Sequence, residues 1–237
     1  TMLIGGNKAG FLKKWKNTDG SFTEWSQYND RGRGDSTVTN YRYDKDGYLE
    51  FVDAIGVDYY KKPVFEKFKI ENGVAYWENN SEKGQKELDQ KADYEPVNMP
   101  FRTSFKNYFQ SVEKTIQLLP TGSSKLKVLK EYKLINGKKV RLVSTVGAGL
   151  TPNYIWIDKA DEFFALIFGN WFAYFRKDFE YLNKELLKIQ NEYEDKYFEE
   201  IAKNLTIPID IGLIISNANI FNSKTGDVHP NGNILIE

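Results

Sequence analysis

Closely spaced turn sequences in the N-terminal third constrain the fold of this chain more than any other feature. Residues 17–20, 44–47 and 71–73 read NTDG, DKDG and ENG. Each places a glycine where a tight hairpin turn needs a positive φ. Between the turns, apolar residues such as Leu49 and Phe51 recur at every second position. The pattern predicts consecutive antiparallel strands with one face in water.

Strand patterns continue in the middle of the chain, with one helical interruption. Aromatic residues make up 15% of the sequence, and they suit a pleated, half-buried surface. Residues 163–168 are apolar on both faces, which is typical of a central strand. Residues 81–100 are charged and predict a long loop, whereas residues 104–119 have helical spacing, with Ser104 as the N-cap and Pro120 after the end.

The clearest helical pattern spans residues 176–205. Apolar residues recur there at steps of three and four, and Glu–Lys pairs such as Glu192 and Lys196 lie four residues apart. A helix of about 30 residues would be about 45 Å long. We interpret it as a strut between two bodies, or equally as a helical layer packed on the sheet.

The last segment of the chain predicts a separate β-hairpin. Residues 214–220 and 233–236 read as strands, and the turn between them is rich in Asn, Ser, Gly and Pro. Two strands alone do not bury enough apolar surface to be stable in water. We therefore expect this hairpin to belong to a sheet whose other strands lie elsewhere.

These patterns together predict an α+β fold. It comprises a large curled antiparallel β-sheet with a packed helix, a long C-terminal helix, and a terminal β-hairpin that belongs to an incomplete sandwich. The expected divisions are a β-rich accessory domain over residues 1–172, a helical connector over 173–206, and the start of a small β-domain over 207–237.

Composition excludes several classes of function. Lys plus Arg and Asp plus Glu both number 33, so the chain has no net charge that would attract nucleic acid. Cysteine is absent, and His229 is the one histidine, which leaves few ligands for zinc and few bases for a Ser-His-Asp triad. The apolar run at residues 163–175 is shorter than the roughly 20 residues of a membrane span. The chain itself contains no recognisable catalytic or metal-binding motif.

One short span has the chemistry of an anion-binding site. Two arginines, two carboxylates and two glycines crowd residues 29–35. Paired guanidinium groups bind carboxylate or phosphate well, and glycines allow a ligand to approach the backbone. The simpler interpretation is a turn whose charges satisfy one another. The candidate binding residues, including two from the next strand end, are Asn29, Asp30, Arg31, Arg33, Asp58 and Tyr59.

The terminal stretch resembles a known family. Residues 215–221 (ISNANIF), 224–227 (KTGD) and 232–237 (GNILIE) resemble the opening strands of the amidohydrolase superfamily, although Asn222 stands where many members have Asp. Residues 6–10, 28–34, 58–64 and 151–158 resemble the N-terminal accessory region of some exported bacterial members.

The resemblance implies a non-catalytic N-terminal portion of a metal-dependent amidohydrolase. In that family the small β-sandwich is completed by C-terminal strands of the same polypeptide, and a (β/α)8 barrel between the two halves holds the divalent metal and hydrolyses C–N or related bonds. The barrel is not in this sequence. The partner is then the remainder of the polypeptide, and the location is the periplasm or another exported site.

Two alternatives remain open. The accessory region is similar, in strand and helix order, to lipoprotein-carrier-like domains, which implies a periplasmic module that binds an apolar ligand on a concave sheet. A structural role is the other alternative, in which the long helix mediates homo-oligomer contacts.

Overall fold

A computed structural model describes residues 1–99, 102–134, 137–207 and 211–236. It has seventeen β-strands and two α-helices, with 3-10 turns at Val112–Lys114 and Glu180–Leu182. The helices are α1 (Lys106–Gln110) and α2 (Asn183–Leu205). The strands are β1 (Met2–Ile4), β2 (Asn7–Lys16), β3 (Phe22–Tyr28), β4 (Ser36–Tyr43), β5 (Leu49–Val57), β6 (Pro63–Glu71), β7 (Val74–Asn79), β8 (Lys83–Glu87), β9 (Ala92–Tyr94), β10 (Thr115–Leu119), β11 (Ser123–Lys133), β12 (Lys139–Val146), β13 (Asn153–Asp158), β14 (Phe163–Phe168), β15 (Phe172–Phe175), β16 (Leu213–Phe221) and β17 (Val228–Ile236).

The predicted α+β class is confirmed. Fifteen strands form one sheet in the order β8-β7-β6-β5-β4-β3-β2-β1-β15-β14-β13-β12-β11-β10-β9. All neighbouring pairs are antiparallel except β9 and β10, which are parallel. The sheet thus consists of two meanders, β1–β8 and β10–β15, which meet where β1 pairs with β15, and β9 adds to β10 as a parallel edge strand.

The topology requires the sheet to curl. Its two outermost strands, β8 and β9, are consecutive in sequence, and only residues 88–91 separate them. A link of this length spans at most about 18 Å, whereas a flat sheet of fifteen strands would hold its edges several times farther apart. One face of the sheet is therefore an inner face.

The inner face holds the core. A cluster on β4–β7 packs against residues that follow β8, with the Phe68 and Tyr94 rings stacked at 4.3 Å between centroids. A second cluster packs Phe105 and Tyr108, which lie at and in α1, against β10–β13. Met2, from β1, belongs to a third cluster with residues of β14 and β15.

Two local predictions are corrected. The helix expected over residues 104–119 is confined to α1, because Glu113 and Lys114 have φ of 53° and the chain then pairs with β9 and β11 as β10. Ser104 forms an isolated bridge with Glu162 and is not the N-cap. In the described part of the expected loop at residues 81–100, β8 and β9 are strands.

Two predictions for the C-terminal part of the chain are confirmed. The long helix is confirmed as α2, although it begins at Asn183, and the terminal hairpin is confirmed as the two-stranded sheet of β16 and β17. The second of these strands starts at Val228, earlier than the sequence indicated. The chain forms two compact units, Thr1–Asn191 and Glu192–Glu237. Residues 208–210 and 237 of the predicted third segment lie outside the described residues.

Candidate functional site

The turn after β3 gathers four of the predicted binding residues into one cluster. Arg31 Nε donates a hydrogen bond to Asp30 Oδ1 at 3.0 Å, and the Tyr59 hydroxyl donates to Asp30 Oδ2 at 2.7 Å. The Arg33 guanidinium lies 5.0 Å from the centroid of the Tyr59 ring. The hydrogen bonds from Arg31 and then Tyr59 hold the pKa of Asp30 below its usual value. This carboxylate is therefore ionised and already has hydrogen-bond donors.

The other two predicted residues, Asn29 and Asp58, shape the turns. Asn29 Oδ1 accepts a hydrogen bond from the Gly32 N–H at 2.8 Å. Asp58 Oδ1 accepts from the N–H groups of Tyr60 and Lys62 at 2.8 and 2.9 Å. These are local turn contacts of the kind that Asn and Asp commonly make. Ligand binding by the six residues stays a prediction.

Two fully buried carboxylates on the inner side of the sheet have structural partners. Glu66, on β6, accepts hydrogen bonds from the Tyr94 hydroxyl at 2.8 Å and from the N–H groups of Val97 and Asn98 at 2.9 and 2.6 Å. Both oxygens are thus occupied. The carboxylate fixes the segment after β9 to the inner face of β6.

Asp93, on β9, is the second such carboxylate. It accepts hydrogen bonds from the Leu49 N–H at 3.0 Å and from the side chains of Arg102 and Asn107. Arg102 is itself buried, with its side chain 8% exposed. Asp93 therefore joins β9 to the start of β5 through Leu49, to α1 through Asn107, and to Arg102 in a buried ion pair.

A third buried carboxylate, Glu24 on β3, differs from these two. It is 1% exposed, and neither of its oxygens has a hydrogen-bond partner among the described residues. Its register neighbours are Lys14 on β2 and Thr39 on β4. The Thr39 hydroxyl likewise has no partner in this part of the chain. Burial raises the pKa of Glu24 to about 8, so the side chain is mostly a neutral acid at pH 7.

Lys14 does not ion-pair with Glu24. Its Nζ donates to Thr103 Oγ1 at 2.9 Å and lies 4.6 Å from the centroid of the Phe22 ring. Burial lowers the pKa of Lys14, and the charges of Glu162 and Glu24 oppose that shift. Perturbed titrating groups of this kind are common at functional sites, and buried polar groups without partners call for a specific explanation.

The sequence contains a signal that Glu24 points inward, which our predictions did not use. Phe22, Glu24 and Ser26 occupy alternate positions of β3, and all three are at least partly buried. Because a strand directs alternate side chains to the same face, the apolar Phe22 indicates that Glu24 also points inward.

The β16–β17 hairpin presents apolar side chains on both faces. Leu213 pairs with Ile236, and the next pair along the ladder is Ile214 with Leu235. Adjacent pairs point to opposite faces, and these four side chains are 41–63% exposed. His229 lies in β17 opposite Ile220.

Two other kinds of site are absent from the described residues. Across residues 1–99, 102–134, 137–207 and 211–236, no group of three or more His, Cys, Asp or Glu side chains is arranged to hold a metal ion. In the same described ranges, no helix is both long enough and apolar enough to cross a membrane.

Comparison with known proteins does not assign the chain to a class. No family model matches it, and the searches of curated proteins and of solved structures found no significant match.

Proposed function

We propose that this chain is a non-catalytic portion of a larger metal-dependent amidohydrolase-like protein, in which β16 and β17 belong to a small β-domain. The observation that carries the proposal is the exposure of apolar side chains on both faces of the hairpin. A two-stranded sheet of this kind is stable only when other strands or helices cover it. The resemblance of residues 215–221 and 232–237 to the opening strands of that superfamily identifies the cover as the rest of the small β-domain.

The proposal places the hydrolytic chemistry in another part of the same polypeptide. On this proposal a divalent metal belongs to the barrel that the resemblance implies, and no step of hydrolysis is assigned to residues of this chain. The proposed partner is the remainder of the polypeptide, and the resemblance to exported proteins supports the periplasm or another exported site as the location of both.

The gene provides the first test. The proposal expects the reading frame to continue after the hairpin into a strand followed by a His-x-His pair, and the longer product to hydrolyse amide or ester substrates in a metal-dependent manner. The proposal fails if the locus encodes no such pair. It also fails if the longer product loses no activity when its metal is chelated.

Substitutions in the hairpin provide a second test. Ile214→Lys with Leu235→Lys should destabilise the longer product by about 3–5 kcal/mol, because two large apolar side chains would lose their burial. In the present chain, where both are exposed, the pair should leave the unfolding of the sheet unchanged. Lys224→Glu in the exposed turn is the control. Equal effects in both proteins would contradict the proposal.

The carrier-like module and the oligomerisation domain stay predictions. Acyl-chain titration tests the first through ligand stabilisation of the fold. Light scattering tests the second.

A further inference from the structure

A groove runs along the outer face of the sheet, across β5, β6, β7 and β8. It encloses about 790 Å³. Cavities of this size accommodate small-molecule ligands. Phe68 and Trp77 of the core also line it, and the residues next to them in β6 and β7 point to the opposite face of the sheet from their side chains.

The strand register builds the groove from two rows of side chains. One row alternates acidic and basic groups across the four strands, namely Asp53, Lys67, Glu78 and Lys83. The other alternates aromatic and polar groups, namely Phe51, Lys69, Tyr76 and Gln85. Each row takes one residue from every strand, so the groove has a repeating chemical pattern in the direction perpendicular to the strands.

The charges of the groove cancel. Lys83 Nζ lies 3.0 Å from Glu78 Oε2, and Lys69 pairs with Glu71. The lining contains three lysines and three carboxylates in all. A groove without net charge does not attract a polyanion or a polycation by long-range electrostatics, but it offers hydrogen-bond donors and acceptors close together.

The aromatic rings supply apolar contact within this polar surface. Phe51 and Tyr76 are half-buried and lie two strands apart, which corresponds to about 10 Å across the sheet. Lys69 lies between them, with its Nζ 5.6 Å from the centroid of the Tyr76 ring. Its side chain is 55% exposed, so a ligand displaces it at little energetic cost.

We infer that this groove binds a neutral polyhydroxylated ligand of the oligosaccharide class. Sugar rings have apolar C–H faces that stack on Phe51 and Tyr76, and their hydroxyl groups both donate and accept hydrogen bonds. Carboxylates such as Asp53 accept from these hydroxyls, while lysine and the Gln85 amide donate to them. The distance between the two rings requires an extended ligand rather than a monosaccharide. The site is separate from the hairpin and does not depend on the proposed hydrolase.

Titration calorimetry of the full chain with cellohexaose, maltohexaose and N-acetylchitohexaose tests the inference. We expect at least one of these to bind with a Kd of about 1 mM or tighter. Tyr76→Ala and Phe51→Ala should each weaken that binding by about fivefold or more, the value of a good aromatic contact. Tyr76→Phe keeps the ring and should retain binding. Trp15→Ala is the matched control, because Trp15 is a half-exposed aromatic residue outside the groove.

Several results would overturn the inference. One is the absence of binding to all three hexasaccharides by a chain whose circular dichroism and thermal unfolding are normal. Another is binding that the alanine substitutions leave unchanged, and a third is an equal effect of Trp15→Ala. Binding of an extended peptide at the same residues, with none of the sugars bound, would assign the groove to peptide recognition instead. Gln85→Ala on the exposed strand β8 is a second variant if Tyr76→Ala does not fold.

Discussion

Two regions of the inner face differ in how many hydrogen-bond donors they provide to a buried carboxylate. On the side of β6 and β9, Glu66 and Asp93 each accept three hydrogen bonds and tie the segment after β9 to the sheet. On the side of β2–β4, Glu24 is buried to the same extent and has no hydrogen-bond donor among the described residues. Burial alone therefore does not set the role of an acid, since its charge state depends on the donors around it.

The largest expected effect comes from removing Asp93. Asp93→Ala leaves the buried Arg102 guanidinium without its closest acceptor, which should lower the free energy of unfolding by about 3–5 kcal/mol. Urea denaturation measures it. Arg102→Met in the same chain should restore part of the loss, because the unpaired charge is then gone. A loss below about 1 kcal/mol would remove the contrast with Glu24.

A smaller effect is expected for Glu66→Gln. The amide keeps one acceptor oxygen for the Tyr94 hydroxyl or a backbone N–H. Its NH2 group, however, faces another donor and cannot accept a hydrogen bond from it. We expect a loss of about 1–3 kcal/mol by the same denaturation assay. Glu82→Gln, at an exposed position, is the control and should change little. Equal losses in the two variants would contradict the role of Glu66.

The pH dependence of stability tests Glu24 itself. Its pKa is about 8 in the folded chain, above the ordinary 4.5. Between pH 4.5 and pH 8 the folded state therefore holds a proton that the unfolded state has lost. Its contribution to stability is complete below about pH 4.5 and disappears as the pH rises through 8, with a slope of at most about 1.4 kcal/mol per pH unit. Chemical denaturation at pH 5, 6, 7 and 8 should show this fall. In Glu24→Gln this fall in stability should be absent. An identical pH profile in both proteins would refute its attribution to Glu24.

The smallest expected effect is that of Glu24→Gln at pH 4, below the ordinary pKa of 4.5, where the acid is mostly protonated in the folded and the unfolded states alike. The glutamine side chain resembles the neutral acid in size and polarity, so the free energy of unfolding should change by less than about 0.5 kcal/mol. Comparison with Glu66→Gln under the same conditions makes the contrast direct. A larger loss would indicate that Glu24 is ionised and paired in the folded chain.

Local sequence signals predicted the hairpins well, because the chemistry that forms a turn lies within a few residues. The turns at residues 44–47 and 71–73 join β4 to β5 and β6 to β7 as expected. The prediction of a helix at residues 104–119 was wrong, because the structure there depends on pairing with other segments of the chain. Its apolar spacing suits a helix, but Ile116 and Gln117 pair with β11, and Gln117 also pairs with β9. The spacing of apolar residues within one segment does not report which other strands it pairs with.

The candidate site was harder to predict than the fold. The cluster around Asp30 was found because its charged residues are adjacent in sequence. Glu24 was missed because a charged residue in an alternating strand is usually assigned to the wet face. Its inward direction follows from the phase set by Phe22, and its lack of donors depends on how β2, β3 and β4 pair. The groove on β5–β8 also depends on register across four strands.

The pairing of β1 with β15 has a consequence for the order in which the molecule is made. Met2 lies opposite Tyr174, so β1 leaves the ribosome long before β15, the strand that covers its edge. The meander β1–β8 can form from local contacts during synthesis, but its open edge stays available to other chains until then. Slow translation before residue 174 would thus favour aggregation, and faster completion of the second meander would suppress it.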